Sequence, residues 1–152
     1  MSAIPFDRSV LKVNQVILMA GLLAGYAFSL ARPLASVALP VFALMMLHGA
    51  AVPSQSLPRV LYLRLLKPRG LVRPRVAVED PAPHRFAQLV GGVFLAAGSL
   101  LALAGAYAAA WTLGWVVVAL AFLNFAFDVC VGCIMYAQLV RVGLLPLHRT
   151  AA

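Results

Sequence analysis

LNFAFDVCVGCIMYAQLVR, residues 123–141, is an almost wholly apolar run that carries an aspartate and two cysteines three positions apart. Taken as part of a helix in lipid, it decides the fold. Its polar members, Asp128, Cys130 and Cys133, are the strongest functional clue in the chain. The rest of the sequence has the same character, with 64% hydrophobic residues and only 11% charged ones. A soluble domain carries about 25% charged residues, and here the charges gather between apolar runs. That pattern indicates an integral membrane protein. No polar segment of about 50 residues or more exists to form a separate soluble domain.

A bilayer core about 30 Å thick takes about 20 apolar residues in helical form. Helices are required because lipid offers the backbone no hydrogen-bonding partner. Four spans fit, at 13–31, 34–51, 86–109 and 111–139, in a single membrane domain covering 1–152. The second is short and contains Pro40, which predicts a kink or little tilt. Tight connections at 31–34 and 109–111 predict two antiparallel hairpins, hence an all-α, integral membrane four-helix bundle. The first run is expected to be retained, not cleaved as a signal peptide, because Asp7 interrupts its lead-in and a second run follows almost at once.

Twelve basic residues stand against four acidic ones, a formal charge of +8. In a soluble protein that excess would suggest nucleic acid, but these bases collect between apolar runs without nucleic-acid patterning. They suit topology and anionic headgroups instead. Seven of them, Arg59, Arg64, Lys67, Arg69, Arg73, Arg75 and Arg85, lie in the central loop 52–85. Arg8 and Lys12 precede the first span, and Arg141 and Arg149 follow the last. The first hairpin turn has only Arg32. Both termini and the central loop are therefore expected in the cytoplasm. Trp111 and Trp115 are expected at the opposite lipid interface, where amphipathic rings settle. Within the loop, Leu57, Leu61, Tyr62, Leu65 and Leu66 fall on one side of a helical projection, with Arg59, Arg64 and Lys67 on the other. This predicts a short amphipathic helix lying in the interface. The proline-rich stretch that follows should be extended.

"VNQ" at 13–15, "APHRFAQLVG" at 82–91 and "CVGC" followed by Tyr136 occur in an order and spacing that resemble a bacterial family, domain of unknown function 4395. The resemblance covers about residues 7–141, and Cys-x-Gly-Cys-x-x-Tyr is its most specific element. It implies a four-helix protein of the bacterial inner membrane with no assigned activity. It also implies, as partner, a cytoplasmic thioredoxin-like or rhodanese-like sulfur protein. The chain departs from the family pattern at Asp128 and Val129, where glycine and an aromatic residue are expected. It departs again at Ile134, and at His48 where arginine is expected.

In one continuous helix, Cys133 would lie about 12 Å and Cys130 about 16 Å from Arg141, in the cytoplasmic leaflet. Their i, i+3 spacing puts both thiols on one face, close enough to bond, and Gly132 leaves room for a neighbouring helix. Three readings stay open. The pair can act in thiol redox or sulfur relay, with Cys133, nearer the cytoplasm, as the thiol a partner meets first. It can hold a soft metal such as copper or zinc, with His48 as a third ligand. Or it can simply pack, as buried cysteine does. A position deep within a helix weighs against redox, because activated thiols gain from a helix N-terminus and an apolar setting disfavours the thiolate.

Asp128, with Asn124 one turn before it, is a costly carboxylate in lipid, about 2.5–3.5 kcal/mol at the bilayer centre. A protonated acid hydrogen-bonded between helices is expected there, with a proton or ion site as the alternative. Asn14, Gln15, His84, Arg85, Gln88 and Tyr136 are expected to gather as a polar cluster below the cysteines. The functional expectation is a membrane partner in thiol redox or sulfur trafficking through Cys130 and Cys133. Its alternative is a non-enzymatic scaffold or transporter subunit, and a homo-oligomer is compatible with either.

Overall fold

Apolar runs of more than twenty residues satisfy their backbone internally by coiling, and the computed structural model shows the result for residues 4–31, 37–70 and 76–143. The elements are β1 (Ile4–Asp7), α1 (Arg8–Ala31), α2 (Ala38–Ala51), a 3-10 turn (Pro53–Gln55) and α3 (Leu57–Leu61), which runs into a π-helical turn (Tyr62–Leu66). Then follow β2 (Val76–Glu79), α4 (Ala82–Leu103), α5 (Tyr107–Phe127) and α6 (Val131–Arg141). The expected turn after Ala31, with Arg32, lies outside the described residues, as do Arg73, Arg75 and Arg149.

Helices α1, α4 and α5 hold 24, 22 and 21 residues and are long and apolar enough to cross a membrane. At 1.5 Å per residue they reach about 36, 33 and 32 Å. This points to a multi-pass membrane protein. Helix α2 has 14 residues and α6 has 11, about 21 and 17 Å, short of a full bilayer core. Pro40 sits in the first turn of α2, where its missing N–H would have had no helical partner, so it need not kink the helix.

The fourth expected span, 111–139, is not one helix. It is α5 and α6, separated at Asp128–Cys130. The preceding connection also moves, from 109–111 to residues 104–106, where Gly105 takes φ 83°. Hydropathy could not locate either break, because alanine, valine and cysteine read as apolar whether the chain coils or turns.

Helix α4 is central and packs on α2, α5 and α6. The core joins Leu18 and Leu22 of α1, Leu39, Ala43 and Met46 of α2, Leu95 of α4, and Ala110, Trp111 and Val117 of α5. Close approach of α4 to α5 depends on Gly98, whose Cβ would stand 3.0 Å from the Ala110 carbonyl oxygen. Trp111, expected at the lipid interface, is buried, whereas Trp115 is 43% exposed.

One end of the bundle gathers the polar segments. Arg85 Nε and Nη2 donate to the Ala50 carbonyl at 3.0 and 2.9 Å, meeting one of the carbonyls left over at the end of α2. Thus α2 returns to the end from which α4 sets out. The Asp80 carboxylate accepts the Ala82 N–H at 3.0 Å, at the start of α4. At that same end β1 and β2 pair antiparallel, Ile4 opposite Glu79 and Asp7 opposite Val76. The stretch expected to be extended is therefore partly a ribbon, a pairing that local sequence does not announce. The expected short loop helix is present as α3 and its π turn. Its buried residues are Pro58 and Tyr62, while Leu57 and Leu65 are exposed along with Arg59, Arg64 and Lys67.

Candidate functional site

Asp128 ends α5 in the left-handed conformation, at φ 53°. That region suits glycine, the residue that the resemblance led us to expect at this position. A side chain is tolerated at a cost of about 1–2 kcal/mol, and here it has a partner. Lys12 Nζ lies 3.1 Å from Asp128 Oδ1 and donates to the Phe125 carbonyl at 3.5 Å. A cation from the second turn of α1 thus answers both the carboxylate and the C-terminal end of α5. Asp128 is half exposed and ion-paired. Where an acid hydrogen-bonded between helices was expected, the partner of the Asp128 carboxylate is a lysine of α1.

Two residues on, Cys130 is the N-cap of α6, in extended conformation, and its sulfur accepts the Cys133 N–H at 3.2 Å. Its carbonyl accepts the Ile134 N–H at 3.1 Å. The cysteines therefore do not lie deep in a helix; they open one. The two sulfurs are joined as a disulfide, with Cα atoms 5.1 Å apart, inside the ordinary disulfide range. Their depth also changes. They stand beside the first turn of α4 and near the second turn of α1, at the polar end of the bundle.

Gly132 brings this turn against α4, since a Cβ there would sit 2.5 Å from Ala87 Cβ and 2.7 Å from Ala87 Cα. Ring contact between Phe86 and Tyr136, with centroids 5.6 Å apart, continues the same packing. As a result His84, in the first turn of α4, reaches the pair, and its Nδ1 lies 3.5 Å from Cys133 Sγ. The three ligand atoms of His84, Cys130 and Cys133 fall within 4.8 Å of one another. His48, expected as the third member, is exposed on α2 and takes no part in that group. His84 had been placed in the neighbouring polar cluster, but its approach to a sulfur was not legible while 111–139 read as one helix.

A cavity of about 110 Å³ adjoins the pair, lined by Asn14, Gln15, His84, Gln88, Asn124 and Cys130 among apolar side chains. A smaller one of about 40 Å³ lies beside Arg8, Lys12, Asp128 and Cys130. Gln15 is buried, and the side-chain oxygens of Asn14 and Gln15 have no hydrogen-bond partner among the described residues. Most of the expected polar cluster is thus assembled around one cavity. Arg85, turned to α2, and Tyr136, whose ring meets Phe86, are the exceptions. Chemically the site offers a thiol pair at a helix N-terminus, an imidazole beside one sulfur, and a cavity against the other.

Residues 6–141 match the family described as a domain of unknown function, DUF4395. The chain belongs to that family. No curated protein and no solved structure matches it. In this DUF4395 protein the matched segment includes every residue of the thiol site and both helices that the break separates.

Proposed function

We propose that this DUF4395 protein exchanges disulfides with a partner thiol protein at the membrane surface, using Cys130 as the attacking and attacked sulfur and Cys133 as the resolving one. The observation that carries the reading is the N-cap position of Cys130, whose sulfur accepts the Cys133 N–H. A thiolate there is stabilised by that N–H and by the positive end of α6. Position within an apolar helix had counted against redox chemistry, and the break removes that objection. It also reverses the order of the two thiols, since depth along one continuous helix had favoured Cys133 as the first to react.

In the oxidising direction a partner thiolate attacks Cys130 Sγ, the Cys130–Cys133 bond breaks, and Cys133 leaves as a thiolate beside the His84 imidazole, which can relay to it the proton that the partner's second thiol gives up. A second thiol of the partner then displaces Cys130. The partner has become a disulfide and the pair a dithiol, so two electrons and two protons have moved with no further reagent. The four apolar helices α1, α2, α4 and α5 run alternately up and down, with the basic loop, β1 and the thiol site at one end. That end faces the cytoplasm of a bacterial inner membrane by the distribution of basic residues. Arg59, Arg64 and Lys67 there suit anionic headgroups, and the partner class is a cytoplasmic thioredoxin-like or rhodanese-like protein.

Trapping tests this. Under mild oxidation in cells, Cys133→Ser should accumulate a reducible adduct through Cys130 with a cytoplasmic thiol protein. Cys130→Ser should accumulate little. Absence of adducts in both variants would return the pair to a packing role and the protein to a scaffold.

A further inference from the structure

The thiol site carries a ligand geometry that disulfide exchange does not use. His84 Nδ1 and Cys133 Sγ are 3.5 Å apart, and both lie within 4.8 Å of Cys130 Sγ. A tetrahedral zinc ion with bonds of about 2.3 Å to sulfur and about 2.0–2.1 Å to nitrogen sets its sulfur and nitrogen ligands about 3.5 Å apart. One edge of that tetrahedron is therefore already in place. The second sulfur needs only to leave its bond to the first. Gly132, seated against Ala87, fixes the cysteine turn relative to the helix that carries His84. The Cys133 N–H directed at Cys130 Sγ supports a thiolate at that position.

We propose that the reduced form of the site binds one zinc-like d10 dication through Cys130 Sγ, Cys133 Sγ and His84 Nδ1, and that oxidation of the pair excludes the ion. Charge favours a dication. Two thiolates, a neutral imidazole and Zn²⁺ sum to zero, and the adjoining Lys12–Asp128 pair is already balanced. A neutral centre is the arrangement that a partly buried site among apolar side chains tolerates. Cu(I) in the same ligands would leave a net negative charge. Binding exchanges two thiol protons for one Zn²⁺, and a dithiol reductant supplies the two electrons and two protons that first open the disulfide. Three protein ligands leave one tetrahedral position for a water or an incoming ligand.

The inference goes beyond the exchange reaction and does not need it, since any reduction of the pair suffices. The test uses the full chain in detergent, with Zn²⁺ alone as probe in a chelator competition and Co²⁺ as its spectroscopic substitute. Thiols are counted by alkylation in the same samples. The reduced chain should bind one Zn²⁺ and show thiolate-to-Co²⁺ charge transfer, and the disulfide form should do neither. His84→Ala should weaken Zn²⁺ by roughly a hundredfold or more, because loss of even an outer-shell partner costs about 10–100-fold. His84→Cys should restore tight binding, which separates ligand loss from misfolding, and His48→Ala should change nothing. A chain with two free thiols that takes up no Zn²⁺, or binds only Cu(I), overturns the proposal. So does unchanged Zn²⁺ affinity in His84→Ala. A reduced chain that takes up no Zn²⁺ yet still forms the Cys130 adduct would sink this inference and leave the exchange reaction standing.

Discussion

Helix α5 is apolar along its whole length, yet its two ends are built for different work. Near its start, Trp111 is buried and Tyr26 packs edge-on against Trp111 and Trp115, with centroids 5.2 and 5.3 Å apart. Gly98 of α4 fits closely there against Ala110. Near its finish the chain breaks at Asp128, leaves a cavity, and holds amide oxygens without partners among the described residues. The first end is filled as a membrane bundle is normally filled, by rings and small residues. The second gives up close packing for polar groups that face one another. Hydropathy alone does not distinguish them, and so chemistry can sit inside a run that reads as a plain span.

The largest effect should come from the packed end. Trp111→Ala should lower stability by about 3 kcal/mol, as loss of a buried ring does, while leaving alkylation of the cysteines in the native state unchanged. Thermal unfolding in detergent reports the first and thiol labelling the second. A change in labelling would mean the two ends are coupled and the contrast between them is too simple.

Next comes the contact that holds α6 to α4. Gly132→Ala should cost about 1–3 kcal/mol from overpacking, because the new methyl meets Ala87 backbone as well as its side chain. Gly98→Ala should cost less, since its contact begins at 3.0 Å and alanine gains about 1 kcal/mol over glycine within a helix. Comparing the two melting curves ranks the contacts. Equal losses would contradict the tighter seat assigned to Gly132.

Asp128 should give the smallest change. An exposed ion pair contributes about 0.2–1 kcal/mol, and a side chain in left-handed conformation costs about 1–2 kcal/mol. Asp128→Gly removes both and should be close to neutral in the same unfolding assay. Asp128→Leu keeps the strain, loses the Lys12 partner, and should be measurably less stable. Asp128→Gly as damaging as Gly132→Ala would show that the ion pair, not local geometry, holds the break.

Much of this was legible in the sequence. The apolar runs gave the helices, and Pro53 and Gly105 lie where chains end helices. The i, i+3 cysteines and Gly132 forecast a close pair under a close neighbour. What hydropathy could not show was the interruption at 128–130. No proline or glycine marks it, although Asp128 is of one of the few non-glycine types that enter the left-handed region. Its partner Lys12 is more than a hundred residues away, so the compensation that permits the break is not local. With the helix drawn through, His84 was expected only in the polar cluster below the cysteines, and His48 was chosen as the third ligand on depth alone. The departure from the expected glycine at 128 was the one available sign that the backbone turns there.

Relative reactivity of the two thiols tests the central claim, that the break makes Cys130 the reactive one. Cys133→Ser keeps the backbone N–H of residue 133, and Cys130→Ser keeps a good helix cap, so each variant should retain the turn. With both reduced at neutral pH, a small uncharged alkylating reagent should modify Cys130 in Cys133→Ser about tenfold faster than Cys133 in Cys130→Ser, as expected for a thiol at a helix N-terminus. Equal rates, or faster modification of Cys133, would contradict the account.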